Sequence, residues 1–224
     1  MKYNVENIFT HYIDVNMIMR FMSIDDTKRF VVVDGGASKG MFIGALFERF
    51  KNEVGINQRF EIHAFEPAKT NFEVLNSKYN STQYPQIHNY EMALVGNESA
   101  ETEMFTFFET NNNQHYEWGN IKGLYRDYFQ PTAVNKHQYP VKTLKVDDML
   151  GFIGVDKIDY FKMDIEGCEF DIIKTITPES AKKIRQLSME FHYHDKVDEA
   201  ITLLEKLGFS VDCREYEIYA KRED

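Results

Sequence analysis

The 224-residue sequence is poor in cysteine, proline and tryptophan, with two, five and one. Cys168 and Cys213 form no CxxC pair and no metal-ligand spacing, which excludes a disulfide framework and a zinc ribbon and suits reduced thiols in the cytoplasm. No Pro/Ser-rich linker, repeat or low-complexity tract divides the chain, so a single domain over residues 1–224 is expected. Apolar runs fall short of the ~20 residues that span a bilayer. The opening stretch "MKYNVENIFTHYIDVNMIMRFM" also lacks a basic start followed by a continuous apolar core, so neither a membrane span nor a leader is expected. Basic residues are in deficit too, with 26 Lys plus Arg against 36 Asp plus Glu, a formal net charge of -10. Without a Lys/Arg block there is no means of neutralising a phosphate backbone, so no nucleic-acid partner is expected. The partner expected is a small-molecule or glycan acceptor, with oligomeric state open, a homodimer included. Hydrophobic residues make up 43% of the chain and aromatics 14%, enough for a sizeable core.

What is present is a rhythm. Val5, Ile8, Phe9, Tyr12, Ile13, Val15 and Met19 recur mostly at three- and four-residue spacings, predicting an amphipathic N-terminal helix within residues 1–25. Strands are predicted at 30–34, 60–65, near 87–92 and 102–108, with helices over about 39–51 and 68–79. Further on come the strand "KIDYFKMDI", a helix at 169–176, the strand "RQLSMEF", a helix at 195–207 and a hairpin of 209–213 with 216–221. Short apolar strands alternating with helices argue for an α/β fold, a three-layer sandwich around a mostly parallel sheet, and the terminal hairpin makes one strand antiparallel. Between 110 and 140 the pattern dissolves into an Asn-, Gly- and aromatic-rich stretch, read as a substrate-facing insertion.

The stretch "VVVDGGASKG" at 31–40 ends a strand on an acid and follows it with a glycine turn opening a helix. Gly35, Gly36 and Gly40 do not fit GxGxxG, and Asp34 at the strand tip would repel a pyrophosphate, so the spacing weakens a dinucleotide oxidoreductase. A cationic ligand without phosphate fits better, and S-adenosylmethionine has a sulfonium and an ammonium. About thirty residues on, "HAFEP" sets Glu66 and Pro67 at the next strand tip, where a carboxylate can take both ribose hydroxyls. Ser38 lies in the turn. Met92 and Ala93 in "NYEMALVG" are placed to meet an adenine face, or else are a buried strand end. A NAD(P)-binding oxidoreductase and a non-catalytic protein of the same fold stay open as alternatives.

The motifs "VVVDGGASKG", "AFEPAKTNFEVL", "NYEMALVG", "VKTLKVDDML", "IDYFKMDIEGCEFDIIK" and "LSMEFHYH", in that order, resemble the FkbM-type S-adenosylmethionine-dependent methyltransferases. The resemblance implies the class I methyltransferase fold, Rossmann-like, with a seven-stranded sheet whose last strand is antiparallel. It also implies O-methylation of carbohydrate hydroxyls on nucleotide sugars, glycans, lipopolysaccharide, capsule or natural products.

A sugar hydroxyl is a weak acid, so transfer to it needs alignment and help in losing a proton. The candidates for catalysis follow two strands: Asp164, which would also border the donor, and Glu190 with His192. Glu190 and His192 alternate with Phe191 and Tyr193, so they project to one side together. With Asp164 they make an oxygen-plus-nitrogen set for a divalent metal, Mn, Fe or Mg, the imidazole favouring the first two. The alternative is His192 as a general base oriented by Glu190 without metal. Glu166 and His194 are candidates for acceptor contact, Glu166 having a helix-start role as its alternative. In the insertion His115, Tyr116, Trp118 and Tyr125 offer faces and hydrogen bonds for a sugar ring, or else pin the loop. His63 reads as a packed histidine.

Overall fold

The computed structural model describes residues 29–51, 60–110, 118–120 and 133–222. The helix expected within 1–25 and the residues His115, Tyr116 and Tyr125 lie outside them. Strands β1 (Phe30–Gly35), β2 (Phe60–Phe65), β3 (Ile87–Tyr90), β8 (Tyr160–Met163), β9 (Gln186–Glu190), β10 (Ser210–Arg214) and β11 (Glu217–Lys221) form one sheet in the order β10-β11-β9-β8-β1-β2-β3. β1 pairs in parallel with β2 and β8, while β11 runs antiparallel to both β9 and β10. The sheet is therefore mostly parallel and seven-stranded, with the antiparallel strand the hairpin promised. The hairpin turns at Glu215, which adopts φ 56°.

Side chains alternate between two cores, as a sheet buried on both faces requires. On one face Val32, Ile62, Ala64 and Tyr160 meet Phe42, Ile43 and Leu46 of α1 (Met41–Lys51) and Leu75 of α2 (Lys69–Lys78). On the other, Val33, Phe161, Met163, Leu187 and Met189 meet three helices, α3 (Val146–Ile153), α4 (Glu169–Thr175) and α6 (Val197–Lys206). Helix α3 buries Val146, Met149 and Leu150, one face at helical spacing. A short α5 (Pro178–Lys182) starts with the Thr177 side chain accepting from Ser180 N–H, an N-cap readable in "TPES" but absent from the sequence reading.

Two expectations are corrected. The strand at 102–108 is β5 (Thr102–Thr110), and it lies outside the main sheet. It belongs to a four-stranded sheet ordered β4-β7-β5-β6, with β4 (Ala93–Val95), β6 (Trp118–Asn120) and β7 (Ala133–Lys145). The stretch 110–140 is accordingly not a plain loop, because its last part is β7, antiparallel to β5 from Thr102↔Lys142 to Thr110↔Ala133. Gln138, Pro140 and Lys142 are exposed while Tyr139, Val141 and Thr143 are half-buried or buried, so the alternation is present from 138 onward, but exposed His137 next to Gln138 breaks it before that, and proline inside the strand argues against a ladder. Gln138 faces its register partner Thr106 on β5, its Nε2 donating to Thr106 Oγ1 at 2.9 Å.

Candidate active site

The carboxyl ends of β1, β2, β8 and β9 bring the candidate residues together. After β1 the turn needs glycine: Gly36 has φ +71°, and a Cβ there would lie 1.7 Å from the Asp164 carbonyl oxygen. The turn thus rests on the β8–α4 loop. Gly40, at φ +80°, would clash with the Tyr79 ring at 2.6 Å. Gly36 N–H and Ala37 N–H donate to Phe65 O, each at 3.0 Å. Glu66 fastens the same turn, its two carboxylate oxygens accepting Ser38 N–H at 2.7 Å and Ala68 N–H at 2.8 Å. Burial pushes the Glu66 carboxyl up to about 7, against those two bonds and the Lys162 charge. Pro67 and Met92 are half-buried; Ala93 is buried at the start of β4.

Asp34 is fully buried, and the cation beside it is internal. Lys162 Nζ lies 3.2 Å from Asp34 Oδ1 and 3.6 Å from Asp164 Oδ2. It donates to Gly35 O at 3.2 Å and Gly36 O at 2.8 Å. The sequence reading aimed Asp34 at a cationic ligand, whereas the fold supplies a lysine from the neighbouring strand. Burial raises the Asp34 carboxyl and Lys162 opposes that rise. For Lys162, burial pulls the ammonium down, Asp34 and Asp164 push it up, and the net shift is upward.

After β8 and β9 lies a carboxylate-rich cluster around one imidazole. Glu169, buried at the start of α4, accepts Ile165 N–H at 3.0 Å, Gly167 N–H at 2.9 Å, and contacts His192 Nδ1 at 3.0 Å. That leaves His192 Nε2 facing Glu166 Oε2 at 3.3 Å and Glu190 Oε1 at 3.9 Å. Asp164, Glu190 and His192 offer ligand atoms within 4.8 Å of one another. Glu166 sits at φ 55°. Burial, then Asp164, pushes its carboxyl up to about 8, and the same causes push Glu190 up to about 7. Burial alone would lower His192, but Glu169, Glu166 and Asp164 push it up to about 10. Asp34, Asp164, Glu166, Glu169 and Glu190 thus have Lys162 and His192 as nearby cations, and burial with mutual repulsion holds protons on Glu166 and Glu190 near neutral pH.

The structure gathers Asp164, Glu166, Glu190 and His192, as the sequence placed them. His194 is exposed and stacks on Tyr216, ring centroids 3.4 Å apart. Trp118 begins β6, its backbone opposite Phe108. His63 is buried and bonds through Nδ1 to Tyr90 OH at 3.0 Å, the packed role expected. Two residues were missed. Lys162 stands in a buried strand between Phe161 and Met163, and a lysine there demands a counter-charge. Glu169 follows Glu166 by three residues and reads as a helix-start acid.

Residues 34–211 match the family model of the methyltransferase FkbM domain. A stretch of 79 residues is 30% identical to the AMB antimetabolite synthetase AmbE of Pseudomonas aeruginosa; it covers 32% of this chain and 4% of that much longer protein. Among solved structures, precorrin-6y C5,15-methyltransferase from Geobacter metallireducens superposes with a TM-score of 0.50 at 9% identity, covering 94% of this chain and 87% of that one. Fibrillarin of Aeropyrum pernix, with natively bound S-adenosyl-L-methionine, gives 0.46 at 9% identity over 92% and 72% of the two chains. With more than half its length inside that one domain, the chain belongs to the FkbM methyltransferase family.

Proposed function

We propose that the chain is an O-methyltransferase that uses S-adenosylmethionine on a carbohydrate hydroxyl of a nucleotide sugar or glycan, with a divalent metal held by Asp164, Glu190 and His192. The observation that carries the reading is the His192 imidazole, fixed through Nδ1 by buried Glu169 so that Nε2 faces a group of carboxylates. A carboxylate on the far nitrogen is the usual orienting partner of a ligating histidine, so the donor set fits Mn, Fe or Mg. Such an ion would lower the pKa of a bound hydroxyl and orient it. Held up to about 10, His192 carries a proton at neutral pH; it is then a poor general base, and an ion would have to replace that proton. On the donor side the proposed contacts are the turn of Gly35, Gly36, Ser38 and Gly40, with Glu66, Pro67, Met92 and Ala93. Trp118, and with it His115 and Tyr116, is the proposed acceptor side, with Glu166 and His194 at its border.

Calorimetry with S-adenosylmethionine, S-adenosylhomocysteine and NAD tests the donor, and tight binding of NAD alone would sink the reading. A mass-spectrometric screen of nucleotide sugars for the gain of one methyl tests the acceptor. Chelated enzyme is expected to lose turnover, to keep donor affinity and to recover with Mn; undiminished turnover in chelator would remove the metal.

A further inference from the structure

We propose that Lys162 is a positioning residue that locks the donor turn to Asp164, so that the methyl-donor half of the site and the acceptor half move as one body. The inference rests on the methyltransferase reading above. Lys162 is 6% exposed, and its ammonium has oxygens of two segments around it. From the first segment come Gly35 O and Gly36 O at 3.2 and 2.8 Å and Asp34 Oδ1 at 3.2 Å. From the second comes Asp164 Oδ2 at 3.6 Å. Asp164 N–H independently donates to Gly35 O at 3.1 Å, so the same carbonyl is shared by the lysine and by the residue the lysine steadies. Among the described residues no other lysine or arginine forms an ion pair with Asp34 or Asp164.

A simpler role is available: Lys162 only balances the buried charge of Asp34. The two roles separate by double substitution. Removing one member of a buried ion pair strands the other and destabilises the fold, whereas replacing both with neutral groups is often tolerated. Lys162→Met is therefore expected to lower the melting temperature, and Asp34→Asn/Lys162→Met to regain most of it. Under the positioning role the double variant stays defective: the turn carbonyls and Asp164 still lack the ammonium. Calorimetry at 10 °C with S-adenosylmethionine should then show both variants binding about 10-fold or more weakly than wild type, the scale of lost charge-assisted hydrogen bonds.

Three outcomes would overturn the inference. A double variant with wild-type melting and wild-type donor affinity would leave Lys162 a counter-charge only. Lys162→Met binding the donor as tightly as wild type, with only the double variant weakened, would make Asp34 the donor contact. Wild type binding neither S-adenosylmethionine nor S-adenosylhomocysteine would take down the methyltransferase reading and this inference with it, an outcome distinct from the other two.

Discussion

Glu169 is where one side chain sets two functions, because its carboxylate accepts from the loop that carries Asp164 and Glu166 while holding the His192 ring. Glu169→Gln keeps the volume and removes the charge. The largest influence raising His192 is then gone, and its imidazole, now up at about 10, should titrate markedly lower, as read by NMR of the ring. Mn affinity should fall roughly 10- to 100-fold, the usual penalty for losing a partner that orients a ligand. An unchanged His192 titration would deny Glu169 this role. Asp164→Asn and His192→Ala act on the proposed ligands themselves, so each should lower turnover by about 10²-fold or more, with added Mn failing to rescue His192→Ala.

At the scale of elements, a turn glycine and a helix glycine have opposite expectations. Gly36→Ala would set a methyl 1.7 Å from the Asp164 carbonyl at φ +71°, and denaturant unfolding should show a loss of about 3 kcal/mol or more. Gly151 lies inside α3 with nothing within 4 Å of a Cβ, so Gly151→Ala should stabilise by up to ~1 kcal/mol. The main sheet was legible because buried parallel strands are apolar on both faces and the helices between them are amphipathic. The second sheet was legible only in part: its strand at 102–108 could be read, whereas Pro140 and the adjacent exposed His137 and Gln138 obscure β7 despite the alternation of Tyr139, Val141 and Thr143 with exposed neighbours. In the site, Asp164, Glu190 and His192 could be read from strand ends and alternation. The internal partner of Asp34 could not, since it needs the parallel register that sets Asp34 beside Lys162.

Across the whole molecule the folded state holds protons that the unfolded chain would release. Glu66 and Glu190 are raised to about 7, Glu166 to about 8 and His192 to about 10. Between the ordinary carboxylate range and pH 10 these groups bind more protons folded than unfolded, so stability falls as pH rises through 7 to 10. His63, lowered to about 4, works the other way, but its contribution is complete once pH exceeds the ordinary histidine value. The metal-free protein should therefore melt at a lower temperature at pH 9 than at pH 6.5. Mn should narrow the gap by taking the place of protons at Glu190 and His192; equal melting at both pH values in chelator would contradict this. Position in the sheet matters as well as charge. β11 follows β10 in sequence, yet it lies between β9 and β10. On a ribosome, then, synthesis reaches residue 216 with β9 showing a bare edge and β10 without the neighbour it bonds in the finished sheet. A nascent chain stalled before Glu217 therefore offers that open edge to chaperones or to other nascent chains.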